Sequence, residues 1–256
     1  MARAALPGRL SGAPVGGWRI ARVRSRHRET PNAMTLRLDV PGWEGHRAGQ
    51  HVDLRLTAED GYEAQRSYSI ASAPDEPELS LTVDRLEDGE VSPYLVDEIG
   101  EGDELELRGP IGGYFTWEAG QGGPLLLVGG GSGFVPLMAL LRHRAAARSR
   151  VATAVLLSTR APEDVFYREE LERLGFDDPA LAIVHTFTRR PPDGWTGFTR
   201  RVDAAILDEV AFAVADAPLC FVCGPTRFVE TVATALAEAG HPAQRIKTER
   251  FGPGGG

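Results

Sequence analysis

The chain has 256 residues, 42% hydrophobic and 25% charged, which is the balance of a globular protein with a substantial core and room for one large domain or two ordinary ones. Its net charge of −8 argues against a general nucleic-acid binder, and its two cysteines, Cys220 and Cys223, exclude a disulfide scaffold and a cysteine-ligated iron–sulfur cluster within this chain. No apolar run reaches the roughly 20 residues of a membrane span, since the longest, Pro124–Leu141, is broken by glycines. The scattered histidines show no metal spacing, so no metal site is expected.

Residues 1–15 are rich in Gly, Ala, Pro and Arg and lack the apolar stretch of a signal peptide, so a loose tail and a cytoplasmic protein are expected. Short strands follow at Trp18–Glu29, Met34–Val40, His51–Leu56, Glu63–Ile70, Leu79–Leu86 and Asp103–Arg108, punctuated by Gly, Pro and Asp. In the first, strict alternation puts Arg22, Arg24, Arg26 and Arg28 on one face and Ala21 and Val23 on the other. Six such strands predict a small antiparallel β-barrel.

The pattern changes after the Gly-rich run Glu118–Gly123. Continuous apolar runs at Pro124–Val128, Val151–Ser158, Leu181–Thr186 and Leu219–Val222 have the composition of buried parallel strands. Helical spacing separates them, over Phe134 to about Arg148, Glu163–Leu174 and Val202–Val210, with Thr226–Ala239 closing at Gly240. Alternating strand and helix predicts an α/β doubly wound parallel sheet. The expected organisation is two-domain: an antiparallel β-barrel over 16–119, then an α/β doubly wound parallel sheet over 120–256. Cys220 and Cys223 have redox-like spacing, but residues three apart on a strand face opposite ways, so no dithiol pair is expected.

Between the first parallel strand and its helix stands Gly129-Gly130-Gly131-Ser132-Gly133-Phe134-Val135-Pro136. Glycines let a backbone approach a pyrophosphate, and a helix start adds N–H donors and a positive dipole end. The plain alternative is a tight strand–helix turn. Pro136 departs from the G-x-G-x-x-G fingerprint.

Three further runs stand in the first half: Arg66-Ser67-Tyr68-Ser69-Ile70-Ala71-Ser72, Gly89-Glu90-Val91-Ser92-Pro93-Tyr94-Leu95 and Gly109-Pro110-Ile111-Gly112-Gly113-Tyr114-Phe115. With the glycine turn and Cys223-Gly224-Pro225-Thr226 they form an ordered set. From Trp18 to Phe251 this set resembles the ferredoxin–NADP(+) reductase superfamily.

The resemblance implies a flavin-binding barrel and a NAD(P)-binding α/β domain. FAD is implied rather than FMN, because the G-x-x-S match serves a pyrophosphate. Arg66, within the Arg66–Ser67 start of its motif, pairs with a flavin phosphate. Tyr68 lies against the isoalloxazine, and Ser69 bonds near flavin N5. Val91 and Ser92 donate to the pyrophosphate. In the second half, Gly130, Gly131, Ser132 and Gly133 face the nicotinamide dinucleotide, and Cys223-Gly224-Pro225 sits beside the nicotinamide as a positioning element. Glu249 and Phe251 close the site, with Phe where plant-type members carry Tyr. Read alone, Cys223 is equally a small buried apolar residue, and Tyr68 an ordinary inward-packed strand residue.

Arginine suits a 2′-phosphate and an acidic side chain the free ribose. Arg160 after the second parallel strand and Thr188-Arg189-Arg190 after the third therefore predict NADP over NAD. Hydride passes from nicotinamide to flavin. With no cluster within this chain, single electrons then go to a separate acceptor, namely ferredoxin, flavodoxin or an oxygenase component. The alternatives are a flavin-holding electron-transfer subunit and a reductase of free flavins or quinones. The Arg22–Arg28 face is either a docking stripe for an acidic carrier or a solvated strand face.

Overall fold

The computed structural model describes residues 17–58 and 60–252. The tail expected over 1–15 lies outside the described residues. The chain forms two compact units, one ending at Thr116 and the other beginning at Trp117. Among the described residues no helix is long and apolar enough to cross a membrane.

The first unit is built from β1 (Arg19–Thr30), β2 (Ala33–Asp39), β3 (His51–Thr57), β4 (Glu63–Ser69), β5 (Leu79–Asp84) and β6 (Glu104–Ile111). All pairings are antiparallel, in the order β4-β3-β6-β1-β2-β5. A bridge between Ile70 and Leu81 joins the two edges and closes the sheet into a barrel. Alternate residues point inward, so Leu36, Leu38, Val52, Leu54, Leu81, Val83, Leu105 and Leu107 fill one core.

The expected arginine face on β1 does not form. The pairing of β1 with β2 shifts between Val23 and Ser25, leaving Arg24 as an unpaired extra residue. Such a bulge flips the side-chain alternation beyond it. Arg22 opposes Asp39, whereas Arg26 and Arg28 oppose the core residues Leu36 and Met34. The arginines are also spoken for: Arg22 pairs with Glu104, Arg24 with Asp39, and Arg26 donates to the Val96 carbonyl at 2.8 Å.

The second unit carries β7 (Leu125–Gly130), β8 (Thr153–Thr159), β9 (Leu181–Phe187), β10 (Leu219–Pro225) and β11 (Ile246–Phe251), parallel in the order β11-β10-β7-β8-β9. Its helices are α1 (Phe134–Ala146), α2 (Arg168–Asp177), α3 (Ala204–Val210) and α4 (Thr226–Glu238). Asp203 caps α3 by accepting from Ile206 N at 2.9 Å. Cys220 packs into the core under α3 and α4 while Cys223 lies outside that cluster, and both are free thiols, as their three-residue spacing on a strand requires.

The helix expected over Glu163–Leu174 is split. Val165, Phe166 and Tyr167 are all buried. Val165 leaves the preceding turn in an extended conformation, which interrupts the helical ladder before Leu171. The chain instead makes a tight turn at Pro162–Asp164, takes Tyr167 through a left-handed φ of 55° and starts α2 at Arg168. Strand β11 has no sequence signal of its own. Its run Ile246-Lys-Thr-Glu-Arg-Phe251 buries only Ile246 fully.

Candidate functional site

The strand order of the second unit reverses at β7. The chain runs outward from β7 to β8 and β9, then returns to β10 on the other side. The crevice at the carboxyl ends of β7 and β10 is therefore the place where such sheets bind ligands. Gly131 turns the chain with φ +56°. A Cβ on Gly133 would lie 2.3 Å from the Cys223 carbonyl oxygen and 2.6 Å from Gly224 N. Only a bare backbone permits that approach. No side chain caps the start of α1, and no acidic residue stands in its first turn. This donor set, uncapped N–H groups at a positive helix end beside a hydroxyl-bearing turn at Ser132, is chemically matched to an anionic diphosphate.

Across β10, Cys223 is in register with Glu249 of β11, and Pro225 with Phe251. Glu249 and Phe251, two residues apart on one strand, share a face. Burial, with help from the Glu249 carboxylate, pushes the Cys223 thiol well above its usual value. Burial alone raises the Glu249 carboxyl to about 7. Cys223 is thus a protonated thiol and no nucleophile, and Glu249 is a carboxyl able to hold or release a proton near neutral pH.

On the other flank, Arg189 N and Arg190 N both donate to the Arg160 carbonyl, at 3.0 and 2.9 Å, and Thr188 Oγ1 donates to the Thr159 carbonyl at 3.2 Å. The turns after β8 and β9 are thereby tied together, with the Arg160 and Arg189 side chains exposed. Arg190 is committed to an ion pair with Glu163.

In the first unit, β4 sends successive motif residues to opposite sides. Tyr68 packs against the barrel core, and burial pushes its phenol above the usual range. Ser69, the next residue, is half-buried. Arg66 is exposed and its Nη2 donates to Glu90 Oε2 at 3.0 Å. Ser67 turns its hydroxyl to buried Asp53 at 2.7 Å, and Arg108 reaches the other Asp53 oxygen, also at 2.7 Å. Burial would raise the Asp53 pKa, but the Ser67 and Arg108 hydrogen bonds and the Arg108 charge outweigh it and hold the carboxylate ionised. The Ser67 side chain is therefore spent on the barrel wall.

Val91 and Ser92 are buried, and Ser92 Oγ accepts from Leu86 N at 3.0 Å. The helical turn that follows, Tyr94–Glu98, is short and wide. Asp53 and Tyr62 lie outside every motif, and Glu90, though inside the Gly89–Leu95 run, has no role assigned to it by the sequence. Strand register and a turn bring them to Arg66, Ser67 and Arg108.

Two family descriptions match the two units. An oxidoreductase FAD-binding domain spans residues 21–116, and an oxidoreductase NAD-binding domain spans 127–234. Ferredoxin–NADP reductase B of Sorangium cellulosum is 38% identical over 210 residues, covering 80% of this chain and 84% of that protein. The chain belongs to the ferredoxin–NADP(+) reductase superfamily. The resemblance carried by the five motifs is thereby established, and the chain is a NAD(P)H-dependent flavoprotein oxidoreductase with a FAD-binding and a NAD-binding part. The glycine betaine monooxygenase reductase subunit of Pseudomonas aeruginosa is 31% identical over 210 residues, and the match takes in 81% of this chain but only 56% of that longer protein. Among solved structures, the FAD/NAD-binding domain of a Vibrio cholerae nitric oxide dioxygenase shares the reductase fold at a TM-score of 0.82 and 24% identity, over 92% of this chain and 99% of that one.

Proposed function

We propose that this reductase draws hydride from NADPH in preference to NADH and passes single electrons from FAD to a separate carrier protein, a ferredoxin, a flavodoxin or an oxygenase component. The observation that carries the reading is the bare-backbone contact of Gly133 with Cys223–Gly224 at the carboxyl ends of β7 and β10. It joins the glycine turn to the cysteine turn in one cradle. The domain assignment that goes with it is a flavin-binding barrel over 16–119 and a NAD(P)-binding domain over 120–256. Two free, buried thiols suit a reducing cytoplasm.

In this reading Gly130, Gly131, Ser132 and Gly133 hold the dinucleotide pyrophosphate. Cys223, Gly224 and Pro225 shape the floor under the nicotinamide. Glu249 orients the ring and handles a proton at its carboxyl. Arg160 and Arg189, with Thr188 between the paired turns, meet the 2′-phosphate. Arg66 meets a flavin phosphate, the Val91 and Ser92 backbone adds N–H donors, Tyr68 and Phe251 supply aromatic faces, and Ser69 supplies a hydroxyl near the ring. A bound flavin supplies the conversion of one hydride into two single electrons.

Anaerobic stopped-flow reduction by NADPH and by NADH, with identification of the released flavin and assay of ferredoxin reduction, tests the proposal. Expected are a yellow protein, release of FAD, and a higher kcat/KM for NADPH. A colourless chain that takes up neither FAD nor FMN sinks the reading, and a kcat/KM for NADH equal to or above that for NADPH sinks the coenzyme preference.

A further inference from the structure

Arg66 does not stand alone on the barrel surface. While its Nη2 donates to Glu90 Oε2 at 3.0 Å, the Tyr62 hydroxyl donates to Glu90 Oε1 at 3.1 Å. Arg66 Nη1 donates to the Gln65 carbonyl at 2.7 Å. Both Glu90 oxygens are therefore engaged, and an uncharged phenol steers the carboxylate onto the guanidinium. Glu90 also directly precedes Val91 and Ser92 in the turn assigned above to the flavin phosphates. An ion pair this exposed contributes little to stability. Its consequence lies elsewhere, because a phosphate that joins Arg66 arrives beside a fixed negative charge.

We propose that Glu90 is a specificity-determining residue that favours FAD over FMN through the charge of the phosphate meeting Arg66. The inference rests on the flavin reading above. FMN ends in a phosphate monoester, whose second ionisation near pH 6 leaves it with a charge of about −1.5 to −2 at pH 7. In FAD each phosphate has one ester and one anhydride link and carries a single charge, so the two charges of its diphosphate are spread over two groups, one of them farther from Arg66. Phosphate and carboxylate sharing one guanidinium lie on the order of 4–5 Å apart, where each unit charge in water-like surroundings costs a factor of roughly four to five in affinity. The penalty grows with phosphate charge, so FMN is rejected more strongly than FAD. Glu90 thereby weakens both flavins and sharpens the choice between them.

The test titrates the full chain, stripped of flavin, with FAD and with FMN, following flavin fluorescence. The proteins compared are the unaltered chain, Glu90→Gln and Tyr62→Phe. Glu90→Gln is expected to tighten FAD by about fivefold to tenfold and FMN by about twentyfold at pH 7.5. At pH 5, where the monoester keeps about one charge, the two gains converge. Tyr62→Phe keeps the carboxylate but loses the bond that steers it, and shifts the FMN-to-FAD ratio in the same direction by a smaller factor. Equal gains at both pH values, or weaker binding of both flavins by Glu90→Gln, overturn the proposal and leave the flavin site standing. Failure of the unaltered chain to bind either flavin overturns the flavin reading and this inference with it.

Discussion

Cys223 and Glu249 stand side by side on the parallel strands β10 and β11, and burial raises the titration of both. The pair combines an inert thiol with a carboxyl that changes charge near neutral pH, at the end of the sheet where the glycine turn also lies.

The carboxyl makes stability depend on pH. Glu249 titrates near 7 in the folded chain against 4.5 for an unperturbed group. Between those values the folded state keeps a proton that the unfolded state has lost, so stability falls as pH rises through the window and is flat below it. Glu249→Gln removes the dependence. The variant is expected to match the unaltered protein at pH 4 and to exceed it at pH 8 by about 1–2 kcal/mol, the full shift discounted for partial exposure. Thermal melts at the two pH values decide it, and a difference independent of pH would refute the assignment.

The thiol is expected to be silent. Both cysteines are buried with raised pKa values, Cys220 to about 11. Neither should react with a thiol reagent at pH 8 in the native protein, and both should react on denaturation. Cys223→Ser should slow flavin reduction by NADPH about tenfold to a hundredfold through misplacement of the ring, with flavin content unchanged. Rapid labelling of the native protein would restore a nucleophilic role.

Gly133→Ala tests the cradle. Its Cβ would stand 2.3 Å from a backbone oxygen, so one of the two turns must move. We expect a loss of about 1–3 kcal/mol in stability and a rise of about tenfold in KM for NADPH. A variant with unaltered melting and KM would show that the close approach plays no part in binding.

Coenzyme choice should follow the exposed arginines. Arg189→Ala is expected to lower kcat/KM for NADPH roughly tenfold, the scale of one lost charged hydrogen bond, and to leave NADH untouched. Arg190→Ala should do less, because that side chain is held by Glu163. Equal losses with both coenzymes would place Arg189 in general binding and not at the 2′-phosphate.

Much of this architecture is legible in the sequence. Alternation in the first half and continuous apolar runs in the second follow from which strand faces are buried. What escaped has local causes. The extra residue at Arg24 breaks the β1 alternation, and nothing in an alternating sequence marks where a strand will bulge. The run Glu163–Leu174 has helical spacing, but an extended Val165 and a left-handed Tyr167 take its first turn away, so α2 begins only at Arg168. β11 is almost unmarked because it sits at the sheet edge, where one neighbour suffices and charged residues are tolerated.

The motifs alone determined the superfamily and the order of its two parts, because bare glycine turns and a strand-borne arginine and tyrosine are chemical demands that a sequence cannot disguise. Partnership was decided only by the fold. That Glu90 and Tyr62 flank Arg66, that Ser67 serves Asp53, and that Glu249 neighbours Cys223 depend on strand register and turn geometry. Register is a property of residues far apart in the chain, fixed by the joint burial of both strands, and no single stretch of sequence contains it.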